Sequence, residues 1–311
     1  MSLAAFVLRR LLWAIPVLLL VMLLTFALMR GAGGTPFEPP EGVPGLPAPL
    51  QRELTDFYNL DEPWFVEFAT YVKNVATLDF GPSLVNRYRS VDDAVEEGFP
   101  VTVELILLAA LWAVPVGLVL GLFAAVRRGG VLDHLATSAA SVLLVVPVFF
   151  VTYVLSRYLV YEWDVFPLGW DTWTSKVLPV FALGLAPAGY VARLTRAAAV
   201  ETLQSDYIRT AWAKGLRRRR VIGLHVLRNS AVPLLSATPP MLALLVTGAL
   251  FVETAFGVPG VSNEFLNAAR AKDYPMILGL TVALTVLVLA VNLVADVLMA
   301  ILDPRLLEEK A

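Results

Sequence analysis

The sequence predicts an all-α, polytopic membrane protein with about six transmembrane helices, both termini cytoplasmic, and a small external subdomain after the first helix. Three observations carry that expectation. Of 311 residues, 58% are hydrophobic and 16% charged, with a mean hydropathy of +0.72, whereas a soluble domain is nearer half apolar and a quarter charged. Six stretches each supply enough mostly apolar residues, about 20, to cross hydrocarbon as a helix. The lysines and arginines gather in alternate intervening segments and so on one side, as the positive-inside rule requires.

The first stretch, residues 11–29, follows Arg9 and Arg10. It is longer than a signal-peptide core and no small-x-small cleavage pattern follows cleanly before Arg30, so it reads as a retained helix. The others cover residues 101–126, 135–156, 177–198, 231–252 and 276–302. Each must be helical in lipid, even the strand-like run 142–151, because no water is present to satisfy an open backbone. Pro16, Pro115, Pro147, Pro187 and the Pro239-Pro240 pair remove backbone donors and are expected to bend their helices.

Arg9 and Arg10, Arg127 and Arg128, and nine basic residues across 193–228 fall on one side, read as cytoplasmic. The opposite segments are 31–100, 157–176 and 253–275, and an even number of spans puts both termini inside. The organisation expected is a first helix at 1–30, an external subdomain at 31–100, a five-helix core at 101–305 containing a long cytoplasmic loop at 199–229, and a tail at 306–311. Within 31–100, a Gly/Pro-rich linker at 31–49 precedes an amphipathic stretch at 50–78.

Several chemistries are excluded. The chain has no cysteine, hence no disulfide, thiolate metal site or cysteine nucleophile. Its net charge of −2 argues against a nucleic-acid surface. None of the five lysines follows a glycine, so there is no phosphate-binding G-x-x-x-x-G-K loop, and no G-x-S-x-G or H-E-x-x-H pattern occurs. His134, at a helix start, and His225, near the membrane, read as structural. No catalytic, metal or cofactor-binding residue is assigned.

The most informative segment is the long cytoplasmic loop. Ser205 suits an N-cap, Asp206 the positive end of a helix, and Lys214 with Gly215 its close, predicting a short helix over 206–214. Tyr207, Ile208, Ala211 and Trp212 are expected to form one apolar face. A helix of that size is marginal alone and needs a partner. Arg217 to Arg220 read as a positive-inside determinant at lipid headgroups, and Arg193 and Arg196 as anchors of the fourth span.

Tyr207-Ile-Arg-Thr-Ala-Trp-Ala-Lys-Gly215, leading to His225-Val-Leu-Arg-Asn229, resembles the cytoplasmic coupling loop of binding-protein-dependent ABC importer permeases. Against the family's Glu-Ala-Ala, three residues, Gly, then Ile-x-Leu-Pro, this chain has Arg209-Thr210-Ala211, Gly215, His225, Leu227 and, in place of Pro, Arg228. Those departures resemble the dipeptide, oligopeptide and nickel branch. Val252-Glu-Thr-Ala-Phe-Gly-Val-Pro-Gly-Val261, continuing to Ala271-Lys-Asp-Tyr-Pro275, and Asn292 to Asp296 followed by Leu302-Asp-Pro-Arg305 resemble the same branch. Leu60-Asp61-x-Pro63 and Asp79-Phe-Gly-x-Ser83 are weaker echoes.

The resemblance implies the permease subunit of an importer of di- or oligopeptides or similar small solutes. It implies ATPase-coupling roles for Asp206, Tyr207, Arg209, Thr210, Ala211, Trp212, Lys214 and Gly215. Its implied partners are a second homologous permease, two ATP-binding subunits carrying ATP and Mg, and an extracytoplasmic solute-binding protein, beside the lipid bilayer. Glu253, Phe256, Asp273, Asn292 and Asp296 are candidate external or pathway contacts; Asn292 and Asp296 lie one turn apart and share a face. The alternative, an ion-coupled secondary transporter, would need paired ionisable groups near the midplane, for which Asp296 is the one candidate and lies off centre. A membrane enzyme is disfavoured by the missing motifs.

Overall fold

The computed structural model describes residues 2–31, 47–83, 89–236 and 238–302. Among these the chain is helical, with a single isolated bridge between Pro82 and Ser90. The elements are α1 (Leu3–Gly31), α2 (Ala48–Tyr58), α3 (Trp64–Thr77), α4 (Val91–Val126), α5 (Val131–Val145), α6 (Val148–Leu155), α7 (Trp173–Gln204), α8 (Asp206–Ala213), α9 (Arg218–Arg220), α10 (Leu227–Ser236), α11 (Thr238–Phe256), α12 (Val261–Ala271) and α13 (Tyr274–Leu302). Two π-helical turns, Ser156–Glu162 and Val221–Val226, continue α6 and lead into α10. Most of the expected linker at 31–49 and the expected ending at Asp303-Pro304-Arg305 lie outside the described residues.

Four helices, α1, α4, α7 and α13, are long and apolar enough to cross a membrane, and two interrupted pairs bring the number to as many as six. One expected span is not a continuous helix. The span expected at 135–156 breaks after α5, and the axis turns by 97° into α6 and its π-helical turn. Pro147 is the cause: it pushes Val146 out of the helical region, to φ −69° and ψ 119°, and starts a new helix at Val148. The described residues of the span expected at 231–252 are helical on both sides of position 237, which lies outside the described residues, and the Pro239-Pro240 pair falls in the first described turn of α11. Pro16, Pro115 and Pro187 lie inside continuous helices. α4 also starts earlier than its apolar run, at Val91, and continues through Pro100.

The chain divides into two compact units. Unit 1 takes in Met1–Val7, Glu104–Phe256 and Ala290–Ala311. Its hub is α7, which begins with a reciprocal capping box between Thr172 and Ser175 and buries a stripe of small residues that includes Ala182, Gly184, Ala188, Gly189, Ala192 and Ala199. Small residues let helix backbones approach closely where lipid offers no hydrophobic drive to associate. α4 answers with Gly117 and Gly121, one turn apart. A methyl group added at Gly117 would come within 2.7 Å of the Ala188 carbonyl oxygen, and one at Gly121 within 2.5 Å of that of Ala192. Higher on the same pair, Trp112 stacks on Phe181 at 5.3 Å and donates its indole N–H to the Val180 carbonyl at 2.8 Å.

Unit 2 takes in Leu8–Val103 and Gly257–Leu289. Its core joins Val91, Ala94, Val261, Ala268, Met276, Ile277, Leu280 and Ala283. α3 docks through Phe68 on Phe26 at 5.5 Å, through the Glu67–Arg30 ion pair, and through Tyr71, whose hydroxyl donates to the Leu278 carbonyl at 3.1 Å. Burial pushes the Glu67 carboxyl above its ordinary range, against the pull of Arg30. Arg89 bridges Glu264 at 2.9 Å and Glu97 at 3.0 Å.

The glycine contact between α4 and α7 makes a direct prediction. Replacing Gly121 by Val should lower stability by roughly 1–3 kcal/mol through overpacking against backbone that cannot yield, read as a fall in the thermal midpoint of the detergent-solubilised chain, while Gly31→Ala, which meets no atom, should leave it unchanged.

Candidate functional site: the short helix after α7

α7 ends because Ser205 leaves the helical region, at φ −70° and ψ 151°. It occupies the expected N-cap position of α8, yet its hydroxyl does not cap: it donates backward to the Thr202 carbonyl at 2.6 Å. The close of α8 follows expectation more fully. Lys214 is the C-cap and Gly215 adopts φ +75°. The Gly215 N–H donates to the Trp212 carbonyl at 2.9 Å and that of Leu216 to the Ala211 carbonyl at 3.2 Å, the paired bonds of a Schellman close. Nothing lies near a methyl group built on Gly215, so glycine is needed there for its left-handed backbone alone.

The apolar face of α8 is narrower than the sequence suggests. Ile208 is fully buried and Ala211 is 6% exposed, whereas Tyr207 and Trp212 are 48% and 41% exposed. Geometry explains the division: with about 100° between successive residues, Tyr207 and Trp212 stand roughly 70° to either side of the line bisecting Ile208 and Ala211. The buried pair packs with Ala125 from the end of α4, Ala199 of α7, and Val221 and Val226 of the second π-helical turn, with Leu122, Val200, Leu203 and Leu216 around them. An eight-residue helix that would be marginal in water is thus attached to the ends of two long helices. The Tyr207 hydroxyl accepts a 2.6 Å hydrogen bond from Asn229, Asp206 pairs with Arg209 at 3.3 Å, and Thr210 donates to the Asp206 carbonyl at 3.0 Å. The outer face carries Asp206, Tyr207, Arg209, Thr210, Trp212, Lys214 and Gly215, all exposed.

The other candidate contacts are dispersed. Glu253 and Phe256 are buried in the last turns of α11, where the Phe256 carbonyl accepts the Gly169 N–H at 2.9 Å. Asp273 is buried at the start of α13, accepting the Ser83 hydroxyl and the Met276 N–H. Asn292 and Asp296 share one side of α13; Asp296 is buried, and the Asn292 side-chain oxygen is buried with no hydrogen-bond partner among the described residues. His134 is exposed and His225 half-buried. No group of three or more metal-ligating side chains occurs among the described residues.

Asp133 escaped the sequence reading. It is 1% exposed in the first turn of α5, held by Arg196 of α7 at 2.6 and 2.8 Å, by the Gly129 N–H at 2.9 Å and by the Thr137 hydroxyl at 3.3 Å. Arg196 lies one turn before Ala199, the residue on which α8 rests. The signal was a carboxylate just inside a helix start facing a span-end arginine, and only the arginine drew attention. A 10 Å³ cavity lies beside this pair, lined in part by Gly121, Thr137, Ala192 and Arg193.

Residues 117–308 match the family model described as the binding-protein-dependent transport system inner membrane component. The chain belongs to this family. As a member of the inner membrane component family it is a multi-pass protein of the plasma membrane and a transport subunit rather than a catalyst. It is 39% identical over 298 residues to the dipeptide transport system permease protein of Bacillus subtilis, covering 94% of this chain and 95% of that protein. It is 34% identical over 302 residues to the corresponding protein of Lactococcus lactis, covering 96% and 98%. It is 36% identical over 304 residues to the oligopeptide transport system permease protein of Salmonella typhimurium, covering 97% and 98%. The family segment begins inside α4 and includes α8, the cluster that anchors it, and the Asp133–Arg196 pair.

Two outcomes are expected. Gly215→Ala should cost about 1–2 kcal/mol, because a side chain must then occupy the left-handed region, with the thermal midpoint as readout. Asp133→Ala should cost on the order of 3 kcal/mol by stranding Arg196 beside a buried site. The double variant Asp133→Ala/Arg196→Leu should recover much of that loss.

Proposed function

We propose that this chain is the membrane permease of an ATP-driven importer of di- or oligopeptides or chemically similar small solutes, and that α8 is its coupling element to separate ATP-binding subunits. The single observation that carries the reading is the division of α8: an inner edge, Ile208 and Ala211, packed against α4 and α7, and an outer face left exposed. A docked motor subunit would meet Tyr207, Arg209, Thr210, Trp212 and Lys214 without disturbing the packed edge. Family membership and relatives named for dipeptide and oligopeptide transport support the solute class.

In this reading two ATP-binding subunits bind and hydrolyse ATP with Mg, one against this chain and one against a second, homologous permease. An external solute-binding protein delivers the peptide. When the ATP-binding subunits close, α8 is displaced. Because Ile208 and Ala211 are wedged among Ala125, Ala199, Val221 and Val226, displacement of α8 becomes displacement of the ends of α4 and α7 rather than deformation of a loop. The membrane helices then exchange between outward- and inward-open arrangements, each favoured by a different nucleotide state. Ala211 must stay small and Gly215 must turn the chain back to the bundle.

The absence of cysteine makes the test clean. In the assembled transporter, a single Thr210→Cys substitution should cross-link to an ATP-binding subunit and to no other component, in a yield that changes with nucleotide. Ala211→Glu combined with Gly215→Glu, in protein that still inserts and assembles, should abolish solute uptake. Full-rate uptake by that variant contradicts the coupling role.

A further inference from the structure

Unit 1 carries six arginines at one place. Arg127 and Arg128 directly follow α4, and Arg217, Arg218, Arg219 and Arg220 make up the α9 turn and the residue before it. Arg218 Nη2 donates to the Val126 carbonyl at 3.4 Å and so sets the α9 turn against the end of α4. The turn carrying Arg127 and Arg128 is itself fixed, since Asp133 accepts the Gly129 N–H and Arg196 holds Asp133. Two basic segments distant in sequence are therefore set side by side, by this hydrogen bond and by the packing of Ala125 with Val221.

All six side chains are exposed, and among the described residues none of them forms an ion pair. Elsewhere in the same unit basic groups are neutralised: Lys176 by Glu104 at 2.6 Å and Arg157 by Glu162 at 2.7 Å. Apolar side chains accompany the cluster. Phe123, one turn before Arg127, is exposed and carries the Arg127 guanidinium over its ring at 4.4 Å; Leu224, one turn after Arg220, is exposed as well. A set of guanidinium groups with no carboxylate partner among the described residues, at the end of a membrane-spanning helix and with apolar side chains on the membrane-ward residues, matches a molecule that is anionic at one end and a hydrocarbon at the other.

We propose that Arg127, Arg128, Arg217, Arg219 and Arg220 form a binding site for the phosphate headgroups of anionic phospholipids in the leaflet where α4 ends. Guanidinium groups bind phosphate oxygens in pairs of parallel hydrogen bonds. A polybasic cluster immediately beside a membrane span gains affinity from the negative surface of that leaflet. Arg218 is partly committed to the Val126 carbonyl and acts as the tether that keeps the two segments together. None of the arginines belongs to the apolar cluster that anchors α8 or to its exposed face, which carries Tyr207 and Trp212. The lipid assignment does not depend on which solute the chain moves.

The test uses the full chain purified in mild detergent, offered phosphatidylglycerol or phosphatidylcholine, with retained lipid counted by native mass spectrometry. The wild-type chain should retain phosphatidylglycerol in preference to phosphatidylcholine by more than about tenfold at low salt, and this preference should shrink as added salt screens the charges. Arg217→Gln/Arg219→Gln/Arg220→Gln, which keeps the Arg218 tether, and separately Arg127→Gln/Arg128→Gln should each lose most of that preference with an unchanged thermal midpoint. Equal retention of the two lipids by the wild-type chain overturns the proposal without any variant. So does a wild-type preference that survives in both variants. Failure of the coupling reading would leave these lipid results untouched.

Discussion

A peptide N–H placed in hydrocarbon has no water to donate to, and each one left unpaired costs several kcal/mol. Every feature of this chain follows from how that constraint is met. The long apolar segments close their own hydrogen bonds as α1, α4, α7 and α13. Where the ladder is broken, as at Pro147, the break falls inside a unit in which other helices pack closely. α6 is applied to α7 and α11 there, with Val148 and Leu183 both near Gly248 and Phe149 set against Phe251 at 5.9 Å. Helices that satisfy their own backbones gain nothing further from mutual hydrophobicity in lipid, so close contact must come from shape. Gly117 and Gly121 on α4 and the alanines of α7 supply it.

That close contact gives the short helix α8 something firm to rest on. Ala125 and Ala199 lie at the ends of the two helices that the glycines draw together, and Ile208 and Ala211 fill the space between those ends and the second π-helical turn. The Asp133–Arg196 pair secures α5 to α7 one turn from the same place. A buried charge pair of this kind contributes little net stability compared with apolar packing, but it permits one arrangement and penalises others. The region around α8 is thus specified by small residues, a left-handed glycine and one ion pair.

The helical class, the places of the membrane segments and the close of α8 at Gly215 were legible in the sequence, because hydropathy and turn chemistry act locally. Ser205 was legible as a position and not as a bond: its hydroxyl had a nearer acceptor in Thr202. The width of the apolar face of α8 was overestimated, since periodicity shows which residues share a side but not how much of that side a neighbour covers. The break at Pro147 was legible as a bend and not as a turn of 97°, which depends on what α6 packs against. Asp133 was missed because its meaning lies in Arg196, and that pairing is a property of the packed helices alone.

The central claim is that α8 moves the membrane helices because Ile208 is wedged against their ends. It is tested most directly by the number of ATP molecules hydrolysed per solute molecule imported when Ile208 is replaced by Ala in the assembled transporter. A loosened wedge should leave hydrolysis near the wild-type rate and lower uptake several-fold, so that the ratio rises. An unchanged ratio, with both rates intact, would contradict the account.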